Sequence, residues 1–205
     1  MSTTVRNDRG FTLLELLVAL AILTLLAGAL YGSYFAVISA RNRADQGMER
    51  TRETAGTLEL LRSELSAALY DRKNPRLRFV VEDRDYFGRP ACNLSFTFIG
   101  QPPEGGVRSS GLREVRYRVV EKEGKLLLAR GEKELFLEGD PPMYPQVAEI
   151  ESFLVECWDG RWVRTWDTAM AGSGRLPDKV RIVLRVREGE RVLPYAALVQ
   201  TRIRR

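Results

Sequence analysis

The chain of 205 residues contains no histidine and only two cysteines. Without histidine it cannot build a histidine-based catalytic triad, the usual imidazole general base or most zinc sites. The sequence also contains no phosphate-binding glycine loop, paired metal-thiol motif or nucleophile elbow. We therefore predict that the chain is not an enzyme, with no catalytic residue, no metal site and no cofactor.

The chain also lacks a block of charge of one sign. Its 32 basic and 27 acidic residues interleave and give a formal net charge of +5. Weak, dispersed basicity is a poor indicator of a polyanionic partner, so no nucleic-acid binding is expected. The length is enough for a short leader, one membrane-spanning segment and one further domain with a proper core.

Near the N terminus, charge is almost missing from an apolar run that lasts to about Ile38. The one charged residue inside this run is Glu15. A carboxylate near the middle of a spanning helix costs about 2.5–3.5 kcal/mol on insertion scales, which predicts a partner for it. A cut between Gly10 and Phe11 would supply one, because the new α-amino group on Phe11 would lie one helical turn before Glu15 and could also pair with Glu15 of a neighbouring subunit.

This stretch resembles the class III signal of type IV pilins and type II secretion pseudopilins, in which a short basic leader ends in Gly and the mature chain starts with Phe. The matching positions are Arg9, Gly10, Phe11, Thr12, Leu13 and Glu15. The resemblance implies that a membrane-embedded prepilin peptidase cuts after Gly10 and methylates the Phe11 amine. It also implies that Glu15 orients the subunit during assembly.

An ordinary secretory signal peptide is the alternative interpretation of the same segment. Leu13–Leu26 would be its apolar region and Ala27–Ala29 its cleavage site. The apolar character continues past that site to Ile38, and this alternative gives Glu15 no role. The cleavage signal after Gly10 is therefore the preferred interpretation.

The N-terminal helix is predicted to continue past the membrane to the Asn74-Pro75 pair, because the residue before proline is disfavoured in helical angles. Apolar residues recur there at steps of three and four, with charged residues on the other face. The residues of this stripe are Ala44, Met48, Ala55, Leu58, Leu61, Leu65 and Leu69. The predicted organisation is a leader (1–10), a transmembrane half of the helix (11–40), a periplasmic half (41–74) and a β-rich head (75–205).

Within the transmembrane half, small residues recur every four positions. They are Gly28, Gly32, Ala36 and Ala40. A ridge without bulky side chains lets helices approach closely, so we interpret it as a helix-packing surface. Ordinary small-residue content of a membrane helix is the alternative.

From residue 77 onward, apolar residues alternate with polar ones, which is typical of strands. The segments that do so are 77–81, 94–98, 115–119, 153–157 and 180–186. Glu188–Glu190 is a predicted hairpin turn, and Pro194 indicates an edge strand or a bulge in the strand that follows. The predicted fold is α+β and pilin-like: a long N-terminal helix, membrane-spanning in its first half, packed on an antiparallel β-sheet head.

Three head segments resemble the J-class minor pseudopilins of type II secretion. They are Gly111–Tyr117 followed by Leu126–Arg130, Trp158–Trp162 with Trp166, and Leu176-Pro177 before the 180–186 strand. The resemblance implies a single-pass inner-membrane subunit with a periplasmic head. It also implies a place with I- and K-class pseudopilins at the tip of a pseudopilus, which primes assembly and helps to export folded proteins through the outer membrane. A minor pilin of a type IV pilus or DNA-uptake machine, and a periplasmic protein with an ordinary signal peptide, are the alternatives.

Cys92 and Cys157 are open to two interpretations. An oxidising periplasm permits a disulfide between them, whereas their apolar surroundings are also typical of buried free thiols. Trp158 and Trp162 are predicted to meet across a hairpin and to supply core, with a partner contact as the alternative. Arg181, Arg185 and Arg187 are predicted on the outer face of their strand. Together with Arg202, Arg204 and Arg205, they would discourage edge pairing or bind an acidic partner.

Overall fold

A computed structural model describes residues 12–100, 110–170 and 174–201, apart from the side chains of residues 43–46. The chain divides into two compact units, Met1–Glu49 and Arg50–Arg205. The described residues form one helix and twelve strands. Their bounds are α1 Leu13–Ser66, β1 Phe79–Glu82, β2 Asp85–Tyr86, β3 Arg89–Pro90, β4 Asn93–Ile99, β5 Leu112–Lys122, β6 Lys125–Glu134, β7 Met143–Val147, β8 Ile150–Trp158, β9 Trp162–Val163, β10 Trp166–Asp167, β11 Lys179–Glu188 and β12 Arg191–Gln200.

Helix α1 ends at Ser66, and the predicted end at Asn74 is wrong. The next residues leave the helix because their backbone pairs with β4. The amide of Leu69 donates to the carbonyl of Thr97 at 2.8 Å, and the amide of Ile99 donates to the carbonyl of Ala67 at 3.3 Å. Backbone groups at a helix end need partners, and here a strand supplies them before proline is reached.

The second unit contains two main antiparallel sheets. The first has six strands in the order β10-β1-β4-β5-β6-β7, and the second has four in the order β12-β11-β8-β9. Strands β2 and β3 form a separate hairpin. All five predicted strand segments coincide with or overlap observed strands, and the α+β fold with a long N-terminal helix and an antiparallel head is confirmed.

One hydrophobic core lies between the end of α1 and the inner faces of both main sheets. Its largest fully buried side chains include Tyr117, Phe79, Phe96 and Phe153. A buried Leu or Phe contributes about 1.5–3 kcal/mol relative to an exposed one, so this cluster is the main source of stability for the second unit. The helix contributes Leu58, Leu61 and Leu65 to it, and Ala68 follows just after the helix.

The predicted stripe on the helix is partly wrong. Met48 and Ala55 are exposed, whereas Thr54, Thr57 and Glu64 are buried in their place. The two threonines satisfy their hydroxyls locally, since each donates at 2.9 Å to the carbonyl four residues earlier. This back-bonding lets a polar side chain enter an apolar interface without an unpaired group.

The predicted hairpin between the last two strands is present. Glu188 pairs with Arg191, and Gly189 occupies the turn with a φ of 63°. Pro194 lies in β12, at the edge of its sheet, as predicted. Proline is tolerated there because an edge strand has one side without ladder hydrogen bonds.

Candidate functional site

The first turn of α1 is built around Thr12 and Glu15. The amide of Glu15 donates to Thr12 Oγ1 at 3.3 Å, and the amide of Thr12 donates to Glu15 Oε2 at 3.4 Å. This is the reciprocal arrangement of a capping box, in which a threonine N-cap and a glutamate three residues later satisfy each other's amides. The spacing of Thr12 and Glu15 is itself the sequence signature of this box, and our sequence analysis did not use it.

The capping box places the Glu15 carboxylate at the positive end of the helix dipole, which stabilises a negative charge there. Gly10 and Phe11, the predicted cleavage and methylation positions, lie outside the described residues. Glu15 therefore has one observed environment, that of its own helix terminus. Its predicted pairing with the Phe11 amine remains a prediction.

Helix α1 exposes its apolar side chains from Leu13 to Val37. Leu23 is 61% exposed and Phe35 is 59% exposed, although both are large and apolar. This is the one helix in the described residues that is long and apolar enough to cross a membrane. Surface of this kind marks contact with lipid or with other protein chains.

The predicted small-residue ridge is exposed within this segment. A Cβ atom added at Gly28 or Gly32 would meet no other atom within 4 Å. Ala36 and Ala40 are exposed as well. The ridge is therefore accessible to a second helix, and its role in packing stays a prediction.

In the head, a buried carboxylate connects the helix to the six-stranded sheet. Glu64 is 4% exposed, and its Oε2 accepts a hydrogen bond of 2.6 Å from the hydroxyl of Tyr117. Its Oε1 accepts one of 3.1 Å from Nε of Arg130, which also contacts Glu132. Glu132 in turn lies 2.6 Å from Arg113. Each buried charge in this cluster thus has a partner of opposite sign, as burial requires.

The cluster shifts the pKa values of its members in opposite directions. Burial raises the pKa of Glu64 above 4.5, although the hydrogen bonds from Arg130 and Tyr117 oppose that shift. Burial would also raise the pKa of Glu132, but Arg130 and Arg113 outweigh it and the net shift is downward. Burial and the negative charge of Glu64 raise the pKa of the Tyr117 hydroxyl, so it stays protonated and donates its hydrogen bond.

Tyr117 and Arg130 lie in two of the segments that resemble J-class pseudopilins. They meet because β5 and β6 form one hairpin, in which Tyr117 is paired with Arg130. The sequence predicted charged residues on the face of the helix opposite the apolar stripe, and the buried Glu64 is an exception to that prediction. Its spacing from Leu61 and Ala68 would have located it on the buried face.

Cys92 and Cys157 are both buried and both free thiols in this structure. Burial raises the pKa of the Cys92 thiol. Burial and the nearby Cys92 raise the pKa of the Cys157 thiol, so both thiols stay protonated. The interpretation as buried thiols therefore describes this structure. The disulfide is not formed in it.

Trp158 and Trp162 do meet across a hairpin, with ring centroids 5.1 Å apart. They are only half-buried, however, whereas Trp166 is in the core. The guanidinium of Arg181 lies 4.4 Å from the centroid of the Trp162 ring and is also paired with Glu156. The prediction that the tryptophan hairpin supplies core is therefore wrong for its two paired rings, which pack on the outer face.

The arginines of β11 point outward as predicted, since every second residue of the strand is buried. They do not protect an edge, because β11 lies between β12 and β8. Arg181 and Arg187 instead pair with Glu156 and Glu151 of β8. Arg202, Arg204 and Arg205 lie outside the described residues.

An antiparallel β head, joined to a helix that begins with a capped carboxylate and exposes its first, apolar half, defines the pilin-like class of protein. Comparison with known families identifies the branch. The family "Prokaryotic N-terminal methylation motif" matches residues 5–31, and "Type II secretion system (T2SS), protein J" matches residues 32–198. The chain belongs to the type II secretion protein J family, and it is a minor pseudopilin.

Among solved structures, the type IV-like pilin TTHA1219 from Thermus thermophilus is similar to 74% of this chain and 95% of its own. The sequence identity is 15% and the TM-score is 0.49. No curated protein matches the sequence. Membership of the family fits membrane anchoring through α1 and association with other pseudopilins.

Proposed function

We propose that this chain is cut after Gly10 by a prepilin peptidase, methylated on Phe11 and held in the inner membrane by a single pass of α1, with its head in the periplasm. From there it joins I- and K-class pseudopilins at the tip of the pseudopilus. The tip complex primes assembly and helps to export folded proteins through the outer membrane.

The observation that carries this proposal is the contrast at the start of α1: one carboxylate, Glu15, followed by an apolar surface that nothing in its own unit covers. The capping box occupies Glu15 with its own helix terminus. After cleavage, the Phe11 amine of the same or a neighbouring subunit offers a full positive charge in place of the neutral Thr12 amide and hydroxyl. Two full charges attract each other strongly where water is excluded, so pairing with the amine of a neighbouring subunit favours assembly.

The processing step is tested by the intact mass of the chain isolated from membranes. We expect the mature chain to begin at methylated Phe11. Gly10→Ala should be processed slowly and Gly10→Val hardly at all, since a larger side chain crowds the bond that is cut. A mature chain that begins at Leu30 would contradict the proposal and favour an ordinary signal peptide.

The role of Glu15 is tested by separating its charge from its capping contact. Glu15→Gln keeps a side-chain acceptor for the Thr12 amide but removes the charge, whereas Thr12→Ala removes the cap and keeps the charge. We expect Glu15→Gln to be cleaved and inserted but not crosslinked to other pseudopilins, and Thr12→Ala to crosslink normally. Glu49→Leu, an exposed carboxylate further along the same helix, is the control.

Secretion is measured beside twitching motility and DNA uptake in a strain that lacks the gene. Loss of secretion alone supports the proposal. Loss of twitching or DNA uptake with normal secretion would assign the chain to a type IV pilus or an uptake machine.

A further inference from the structure

The hairpin formed by β2 and β3 presents an aromatic side chain at its tip. Its two turn residues are Phe87 and Gly88, with φ angles of 49° and 79°. The Phe87 side chain is 90% exposed. Its ring touches Tyr86 edge-on, with centroids 4.9 Å apart, which leaves most of the ring in solvent.

Neither backbone preference nor burial explains a phenylalanine at this position. Positive φ at both turn residues is the signature of a type I′ turn, where asparagine or aspartate followed by glycine is favoured. A bulky residue in the left-handed region is strained, because its Cβ approaches the following carbonyl. Phe87 accepts this strain without gaining burial, and strain of this kind is concentrated at functional positions.

The hairpin is held rigidly. Tyr86 packs on the core and donates its hydroxyl hydrogen to Glu121 of β5. The amide of Gly88 donates to Asp85 Oδ1 at 2.7 Å, and Arg89 lies 2.7 Å from Glu151. The turn that carries the ring is therefore anchored to the head, which lowers the entropy cost of docking it.

The hairpin lies at the end of the head where α1 enters. Glu121, which holds Tyr86, is near the turn between β5 and β6. Lys125 on the far side of that turn lies 2.5 Å from Glu149, and Glu149 is also paired with Arg50 at 3.4 Å. Arg50 is the first residue of the head unit.

We propose that Phe87 is the anchor by which this head docks into an apolar pocket on the head of a neighbouring pseudopilin. This inference rests on the proposed function and names a surface for it. The charges beside the ring favour a protein pocket over a lipid surface. Arg84 is paired with Glu82 at 3.1 Å and Arg89 with Glu151, so each of these two arginines near the turn already has an acidic partner and is less available to anionic lipid.

Two variants separate the backbone strain at Phe87 from the contact that its ring makes with a partner. Phe87→Asn suits a type I′ turn, so the full-length protein in detergent should unfold about 2–4 °C higher than the unmodified chain. The same variant should bind its partner pseudopilin at least about tenfold more weakly, as expected for loss of an aromatic anchor. Phe87→Leu keeps the strain and shortens the contact, so its unfolding temperature should stay near that of the unmodified chain while its binding falls.

The partner is identified in secreting cells with a photoreactive phenylalanine analogue at position 87. Position 144 is the matched control, because Tyr144 is also an exposed aromatic but lies in a regular strand. We expect a pseudopilin adduct from position 87 in excess of any from position 144. An adduct with lipid or with a secreted protein, or equal yields from both positions, would overturn the proposal.

The outcomes distinguish this inference from the proposed function. If Phe87→Asn binds like the unmodified chain while that chain assembles and supports secretion, Phe87 is not the anchor and the function stands. If the analogue gives no pseudopilin adduct at either position and the unmodified chain does not support secretion, the proposed function fails first. A Phe87→Asn variant that unfolds at a lower temperature would refute the strain argument.

Discussion

Helix α1 carries leucines near both of its ends, but its two parts differ in what covers them. In the N-terminal unit the large apolar side chains are exposed, as Leu23 shows, whereas Leu61 and Leu65 in the head unit are completely buried. The same residue type at the same helical spacing thus ends in two environments. Hydrophobic surface must be removed from water to stabilise a structure, so the first part depends on lipid or other subunits and the second on its own sheets.

The two regions also differ in how they treat charge. The apolar segment contains one carboxylate, Glu15, whose contacts are the Thr12 amide and hydroxyl of its own first turn. The head instead buries Glu64 and gives it Tyr117 and Arg130 as partners. Glu15 is therefore available for exchange with an external partner. Glu64 fixes the position of the helix on the sheet.

Breaking the buried pair of Glu64 and Arg130 is the strongest test of this difference between the two carboxylates. Arg130→Ala leaves Glu64 buried without its cation, and we expect the head to lose about 3–5 kcal/mol of unfolding free energy. The deficit should be larger at pH 8 than at pH 5, because an unpaired buried carboxylate folds best when protonated. Denaturant unfolding of the full-length protein in detergent measures both.

The control for that experiment is an exposed ion pair about one turn before Glu64 on helix α1. Arg62 and Glu59 form an exposed pair at 3.5 Å, and Arg62→Ala should change stability by at most about 0.5 kcal/mol. Equal effects of the two arginine substitutions would mean that burial does not distinguish them. A double variant with Glu64→Leu and Arg130→Met should recover part of the loss, since an apolar pair needs no charge compensation.

The sequence predicted those parts of the fold that depend on local patterns. Period-two alternation located β1, β4, β5, β8 and β11, and the Glu188–Glu190 turn followed from its glycine. The spacing of Glu64 from Leu61 could have located it on the buried face, but its partners are 53 and 66 residues away and no local pattern reports such a pairing. The helix end was missed for the same reason, since the strand that receives Leu69 lies outside the local segment.

The candidate site was predictable in outline only. The cleavage signal and Glu15 follow from a short motif, whereas the capping contact depends on which residue begins the helix. Phe87 gave no signal, because a phenylalanine before glycine is not among the dipeptides that indicate a hairpin. Its exposure and its positive φ became visible only when the turn was placed on the sheet.

A smaller effect is expected when leucine is replaced by alanine in each of the two parts of helix α1. Leu61→Ala should lower the unfolding free energy of the head by about 2–5 kcal/mol through lost burial and a residual cavity, at the lower end if neighbouring side chains close in. Leu60→Ala, at a residue 40% exposed, should change it by less than about 1 kcal/mol. Leu23→Ala should leave the unfolding of the head unchanged and lower only the yield of assembled subunits. A loss of head stability from Leu23→Ala would show that the two parts are not independent.

The smallest expected effect is on the pH dependence of stability, and it distinguishes the two carboxylates on either side of Arg130. Because the folded pKa of Glu132 is lowered, its contribution is present above pH 4.5 and is lost as the pH falls through the lowered value. The folded pKa of Glu64 is raised, so its contribution is present below 4.5 and is lost as the pH rises through the raised value. On acidification the unmodified chain should therefore lose stability relative to Glu132→Gln and gain it relative to Glu64→Gln, by about 1.4 kcal/mol for each pKa unit of difference. Unfolding of the three proteins between pH 3 and pH 8 measures both slopes. Slopes of the same sign would mean that the pKa values of Glu64 and Glu132 are not shifted in opposite directions around Arg130.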